Sequence, residues 1–260
     1  MGGFFGAVSA NDCVLDVFYG TDYHSHLGTR RGGMTSYSAE LGFQRNIHSI
    51  ENSPFRTKFE KDVEKMRGNI CIGCISDTDP QPIMVRSKLG LYAVCSIGII
   101  QNAKALSEEL LESGCANFET MSSGNINSGG LIGALIAQKP TFVEGIRYAQ
   151  SKIEGTMSLV IMTEDSIICA RDRAGKLPIL IGKRSDGYCF SFESFAYQKL
   201  GYETCHELKA GEITCLTKDG YEVLYEGTEK MKICTFLWTY YGYPTACYEG
   251  AVSYTHSEPT

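Results

Sequence analysis

Ile153-Glu154-Gly155-Thr156-Met157-Ser158-Leu159-Val160 opens the stretch that decides the fold, because the sequence changes its period there. From this point the apolar residues fall into short strand-like runs: Ser158–Thr163, Ser166–Arg171, Pro178–Gly182, Tyr188–Ser191, Glu212–Thr217 and Glu222–Tyr225. The breaks between them include Glu164-Asp165, Ser185-Asp186-Gly187 and Lys218-Asp219-Gly220, which are turn compositions. The block predicts a meander of mostly antiparallel strands.

Upstream the pattern is mixed. Gly3–Val8 is a short apolar run of the kind that forms a buried strand. Asn11 or Asp12 suits the N-cap of a helix carrying Val14, Leu15, Val17, Phe18 and Tyr23. Gly28–Gly33 reads as a flexible loop, and a second helix runs from about Pro54 to Met66 on the three- and four-residue spacing of Phe55, Phe59, Val63 and Met66. Strands are expected at Ile70–Ile75, Pro82–Arg86 and Tyr92–Ile100. Asn102 then caps a helix, Ala103–Ser113, that stops at Gly114. Two more helices, Leu131–Gln138 and Thr141–Ser151, follow a polar, Gly-rich stretch (Ser122–Gly130) that reads as a surface loop or the rim of a pocket. Helices mixed with antiparallel strands imply an α+β layered domain, with two sheets sandwiched between helices.

The bulk numbers narrow the function classes. A chain of 260 residues fits one large domain or two small ones, and 43% hydrophobic with 21% charged residues is ordinary for a globular protein. Net charge is −6, with no cationic cluster longer than Arg30-Arg31, so nucleic acid is not an expected partner. No apolar run approaches the roughly 20 residues of a membrane span, and no leader pattern opens the chain, so a cytoplasmic location is the default expectation. The eleven cysteines are scattered and several sit in apolar runs, which suits buried free thiols rather than a disulfide framework. Cys71 and Cys74 have metal-site spacing, but on a strand their thiols point to opposite faces, so a zinc site is not expected.

Several short motifs occur in a telling order. They are Gly3, Phe5 and Gly6 at the start, Arg31-Gly32, Arg86-Ser87-Lys88-Leu89-Gly90, and Gly98 with Asn102-Ala103. The densest part is Ile153–Val160 with Ala170-Arg171-Asp172-Arg173-Ala174-Gly175 and Pro178, then Ser191-Phe192-Glu193-Ser194, Leu200-Gly201 and Leu208–Ile213. Together they resemble the class II glutamine amidotransferase domain of the amidophosphoribosyltransferase family. The resemblance implies an N-terminal-nucleophile hydrolase-like fold, a four-layer αββα sandwich of two mainly antiparallel sheets between helices. It also implies an amidotransferase-like domain over residues 1–230 and the start of a hinge over 231–250, leading toward a phosphoribosyltransferase domain that this chain does not carry. Residues 251–260 match nothing in the family and are expected not to be native.

The resemblance also says what a glutaminase of this kind needs. Its nucleophile is a Cys directly after the initiator Met, whose own α-amine moves the proton; here that position is Gly2. Its oxyanion hole is a glycine N–H plus an Asn side chain; Gly98 keeps the first, but the Asn position is Ile97. Losing one such donor typically costs about 10²–10³ in rate. The Arg that clamps the substrate carboxylate is replaced by Ser76, in Gly73-Cys74-Ile75-Ser76-Asp77-Thr78-Asp79, which removes a bidentate cation and places carboxylates nearby. The Asp that meets the substrate amine aligns with Asn127. Arg31 either lines the pocket or orders the loop after the first helix. The resemblance therefore implies a retained fold with a dismantled glutaminase site.

Substitutes for the nucleophile are poor. Cys13 would need cleavage after Asp12 and lacks the glycine that close backbone approach requires. Cys74 and Cys95 have no histidine beside them in sequence to lower their pKa. His24 and His26 read as helix-surface or capping residues, and His48, His206 and His256 carry no motif. Three functions compete: a non-hydrolysing amidotransferase-like domain of a purine-biosynthesis protein, a small-molecule-binding or regulatory module on the same fold, and a glutaminase with an unrecognised nucleophile. A homo-oligomer stays open. No cofactor is expected: Cys234 resembles a position that ligates an iron–sulfur cluster in some relatives, but the other ligands would lie in the second domain.

Overall fold

The computed structural model describes residues 2–114, 126–228, 230–232, 234–243, 245–249 and 251–252. The chain begins with β1 (Gly2–Ser9), α1 (Val14–Asp22), β2 (Arg31–Ser38), β3 (Gly42–Ser49), α2 (Phe55–Val63) and β4 (Ile70–Ser76). It continues with β5 (Ile83–Ser87), β6 (Gly90–Ile100), α3 (Ala103–Glu112), α4 (Ser128–Ala137) and α5 (Phe142–Lys152). The last part runs β7 (Gly155–Met162), β8 (Ile167–Ala170), β9 (Leu180–Arg184), β10 (Gly187–Ser191), α6 (Ser194–Lys199), β11 (Glu203–Glu207), β12 (Ile213–Leu216) and β13 (Tyr221–Tyr225).

These strands form a seven-stranded sheet, β11-β9-β10-β1-β4-β2-β3, and a six-stranded sheet, β13-β12-β8-β7-β6-β5, with antiparallel pairing throughout. Phe4, Ile72, Cys74, Cys95, Ile97, Val160 and Phe190 pack together between the two sheets. A second apolar layer joins the outer face of the first sheet to α1, α2 and α6, through Val17, Phe18, Phe55, Phe59 and Phe195. A third joins the outer face of the second sheet to α3, α4 and α5, through Leu106, Leu131, Ile132 and Ile146. The result is the αββα sandwich that the sequence implied. Strand β1 lies at the centre with both faces covered and every residue buried, which explains a continuous apolar run rather than an alternating one.

Cys71 belongs to the outer layer and Cys74 to the inter-sheet layer, as expected for residues three apart on a strand.

Several expectations are corrected. Gly28–Gly33 is not a loop throughout, because Arg31, Gly32 and Gly33 begin β2. The small residues there answer to packing: a Cβ on Gly33 would stand 1.7 Å from the Gln81 carbonyl oxygen, and one on Gly32 would stand 2.7 Å from the Phe55 ring. The downstream block is not one meander. Strands β7, β8, β12 and β13 build the second sheet, while β9 and β10 cross to the first, where β10 pairs with β1. Of the Gly-rich stretch Ser122–Gly130, residues 122–125 lie outside the described residues, and Ser128, Gly129 and Gly130 form the first turn of α4 rather than a loop. Asn102 stands at the N-cap of α3 without capping it; its side chain ties α3 to the chain after α5, donating to Lys152 O at 2.9 Å and accepting from Glu154 N at 2.9 Å.

The segment after β13 returns to the body. Leu237 and Ala246 are buried, and Tyr243 stacks on Phe195 at 4.0 Å between ring centroids. Cys247 N–H donates to Ser194 Oγ at 2.7 Å, and Glu249 pairs with the buried Arg171. Among the described residues, no helix is long and apolar enough to cross a membrane.

Candidate functional site

Strand β4 lies between β1 and β2, and the register sets one residue against both neighbours: Ser76 stands opposite Gly2 on one side and Arg31 on the other. Alternation along the pleat fixes their face. Ile72 and Cys74 on β4 and Phe4 on β1 point into the inter-sheet layer, so Ser76, Gly2 and Arg31 share that face. From the second sheet, Ile97 enters the same layer beside Cys95 and is 8% exposed. Gly98 follows at φ 148°, where a Cβ would lie 1.9 Å from the Thr156 carbonyl oxygen, so glycine is required at that point of β6. Four of the sequence-derived positions thus face one layer, and Gly98 adjoins it.

Asn127 joins them through the turn after β4. Ser76 Oγ accepts the N–H groups of Thr78 and Asp79, both at 3.2 Å. Asp79 Oδ2 accepts Ser128 N–H at 3.3 Å, and Asn127 Nδ2 donates to Pro80 O at 3.1 Å. The other end of Asn127 caps α4: its Oδ1 accepts Gly129 N–H at 2.9 Å and Gly130 N–H at 3.3 Å. Asn127 is fully buried. Asp77 is drawn aside in the same way, accepting Thr29 N–H at 2.7 Å. The polar side chains at positions 76 and 127 therefore hold a turn and a helix start.

A Cβ at position 2 would meet the Ile75 carbonyl oxygen at 2.5 Å, so the backbone at this point accommodates glycine. Cys95 is buried between the sheets, and burial pushes its thiol well up, as it does for Cys13, Cys71, Cys169 and Cys189. Such thiols stay protonated and are poor nucleophiles. Arg31 is half-buried and, among the described residues, meets no carboxylate.

His26 is exposed, as expected for a surface residue, whereas His24 is corrected from a surface position. His24 is fully buried, with Nδ1 at 2.7 Å from Gly20 O and Nε2 at 3.2 Å from Ser191 Oγ. Burial lowers its pKa to about 4, although Glu193 and the Gly20 carbonyl pull the other way. A carbonyl only accepts, so the neutral ring carries its proton on Nδ1. His26 Nε2 lies 3.0 Å from the buried Glu193 carboxylate, which also accepts Tyr243 N–H at 3.4 Å. This network packs behind β1, where a Cβ on Gly3 would come within 3.0 Å of the His24 ring. Sequence reading missed it because no motif spans residues 24 to 243; the nearest signal is the resemblance of Ser191-Phe192-Glu193-Ser194 to the family.

Among the described residues no group of three or more His, Cys, Asp or Glu is placed to hold a metal ion. Three clefts, of about 430, 490 and 540 Å³, lie elsewhere and none is lined by residues 2, 31, 76, 97, 98 or 127.

Comparison with known proteins accounts for this architecture. The family described as "Glutamine amidotransferase domain" matches residues 66–198. An amidophosphoribosyltransferase of Archaeoglobus fulgidus is 25% identical over 248 residues, covering 92% of this chain and 53% of the relative. That of Drosophila melanogaster is 26% identical over 290 residues, covering 97% and 53%. The chain thus spans about half the length of the curated relatives it matches. Among solved structures, the glutamine phosphoribosylpyrophosphate amidotransferase of Bacillus subtilis superposes with a TM-score of 0.84 at 23% identity, covering 96% of this chain and 55% of that one. A class-II glutamine aminotransferase domain protein of Silicibacter pomeroyi superposes at 0.58 with 12% identity, over 87% of this chain and 99% of that one. The family match over residues 66–198, on an αββα sandwich shared with the Bacillus enzyme, places this chain in the glutamine amidotransferase domain family, as the kind of domain that opens the amidophosphoribosyltransferases.

Proposed function

We propose that this domain keeps the amidotransferase fold without hydrolysing glutamine, as a pseudoenzyme form of the amidotransferase domain in a cytoplasmic amidophosphoribosyltransferase-type protein of purine biosynthesis. The observation that carries this reading is the use made of Asn127. Its carboxamide nitrogen is taken by Pro80 and its oxygen by the first turn of α4, leaving nothing to meet a substrate amine. The same logic applies across the site. Ser76 Oγ is occupied by its own turn, Ile97 has no donor, and Gly2 has no sulfur. Nucleophilic attack, charge stabilisation and substrate clamping each lack their group.

A second reading has one observation in its favour. Arg31 sits on the inner face, half-buried and without a carboxylate among the described residues, which suits recognition of a small anionic molecule by a regulatory module. A homo-oligomer and a second, phosphoribosyltransferase domain beyond a hinge at 231–250 belong to this proposal as well.

Incubation with a glutamine-analogue electrophile, followed by intact mass, tests the main reading. The expected result is no adduct and no shift in melting temperature with glutamine. An adduct would mean that a glutaminase with an unrecognised nucleophile is the right reading, and a melting shift with small dicarboxylates that vanishes in Arg31→Gln would favour the regulatory module.

A further inference from the structure

Two of the clefts adjoin on the side of the second sheet; neither is lined by a residue of the site described above, although Met157 in the first pairs with Gly98 across the strands. Gln150 and Arg173 line both, so spaces of about 430 and 490 Å³ form one groove. Its charged lining is mainly cationic: Lys230 and Lys232 stand in the first cleft, Arg147 in the second, and Arg173 between them. None of the four pairs with a carboxylate among the described residues.

The geometry holds these cations in place. Thr228 N–H donates to Ala210 O at 2.9 Å, Lys230 N–H to Thr228 Oγ1 at 3.2 Å, and Lys232 N–H to Ala174 O at 2.7 Å. The segment that carries both lysines is thereby pinned to the body. Arg173 Nη1 donates to Gln150 O at 3.2 Å, and the Arg147 guanidinium lies 4.2 Å from the centre of the Tyr225 ring. Of the two acids in the lining, Asp172 is buried and committed, its oxygens each accepting a backbone N–H at 3.0 Å from Ala174 and Leu177. Glu226, in the second cleft, is the other.

Four cations against two carboxylates leave this concave surface with an excess of positive charge in a chain of net charge −6, and such a surface attracts anions. We propose that this groove binds a small anion carrying two or more phosphate groups. Arginine forks meet phosphate oxygens bidentately and lysines meet them as point charges. Cations distributed over two adjoining clefts suit a chain of phosphates better than a single one.

Calorimetric titration of the chain with inorganic tripolyphosphate at low ionic strength tests this. The expected result is saturable binding, tighter than that of orthophosphate, with Kd raised about tenfold or more by Arg173→Gln with Lys232→Gln. These residues are exposed, so unchanged melting of the double variant verifies its fold. As a control, Lys58→Gln on α2 with Lys65→Gln just after it removes two exposed cations elsewhere and leaves Kd unchanged. Absence of binding, equal affinity for orthophosphate, or equal loss in the control variant would overturn the proposal. Competition by a nucleoside triphosphate would support it and assign an organic carrier to the phosphates. The outcome is independent of whether glutamine is hydrolysed.

Discussion

Ser76 Oγ accepts the N–H of Asp79 at 3.2 Å, so a side chain at the expected carboxylate-clamp position of a glutaminase closes a turn. Through that turn Asp79 and Pro80 grip Ser128 and Asn127, tying the first sheet to the start of α4. Two positions that the resemblance expects at the substrate are thereby linked to each other by the protein's own hydrogen bonds.

Asn127→Asp follows directly from this arrangement. It supplies the carboxylate the resemblance expects, but sets it against Pro80 O, where the Asn127 nitrogen donates at 3.1 Å, and near the Asp79 carboxylate. A buried acceptor facing an acceptor costs about 1–3 kcal/mol. Urea unfolding at neutral pH is expected to show that loss; an increase in stability with new glutamine binding would contradict it.

Gly2→Cys tests the proposal at the expected nucleophile position. The new Cβ meets the Ile75 carbonyl oxygen at 2.5 Å, and Ile97 still offers no donor. The variant is expected to melt a few degrees lower, for a strain of about 1–3 kcal/mol, and to release no ammonia from glutamine. Recovery of turnover would show that the rest of the site is intact.

His24 gives the chain a pH dependence. In the folded protein burial holds its pKa at about 4, while unfolded it titrates near 6.5. The unfolded state therefore binds the extra proton first, so this contribution is full above pH 6.5 and is lost as pH falls toward 4. The loss amounts to about 3 kcal/mol. Stability measured from pH 7 to 4 should fall more steeply for the wild type than for His24→Gln; parallel profiles would exclude this role.

Glu249 fastens the terminal segment to the core. Arg171 is 1% exposed and donates to the carbonyls of Leu208 and Gly175 at 2.5 and 2.7 Å as well as pairing with Glu249. Glu249→Ala leaves a buried guanidinium short of its counter-charge, at a cost of about 2–3 kcal/mol. Hydrogen exchange should quicken across residues 234–249 while β1 and β4 stay protected. Unchanged exchange would mean that Tyr243, Leu237 and Ala246 hold the segment unaided.

Much of the architecture was legible because strong periodicity reports burial. Phe55, Phe59 and Val63 announced α2, and the apolar runs of β1, β4, β6 and β7 announced buried strands. Strands β2, β3 and β11 escaped notice for physical reasons. Arg31–Ser38 opens on Gly32 and Gly33, which allow close approach of Phe55 and Gln81 in place of an apolar strand signal, and Gly42–Ser49 and Glu203–Glu207 are half-exposed edge strands with polar faces. At the site, the sequence named Gly2, Arg31, Ser76, Ile97, Gly98 and Asn127, and the register unites Gly2, Ser76 and Arg31 across three strands. What it could not show is how Ser76 and Asn127 are occupied, or that His24 is buried against Ser191, since both depend on contacts between distant parts of the chain.

Ammonia release from glutamine by the purified chain, with its amino-terminal residue verified by mass, tests the proposed loss of hydrolysis on a retained fold. Release no faster than buffer is expected. Saturable turnover would contradict it and would require a thiol or hydroxyl other than position 2 to act as the nucleophile.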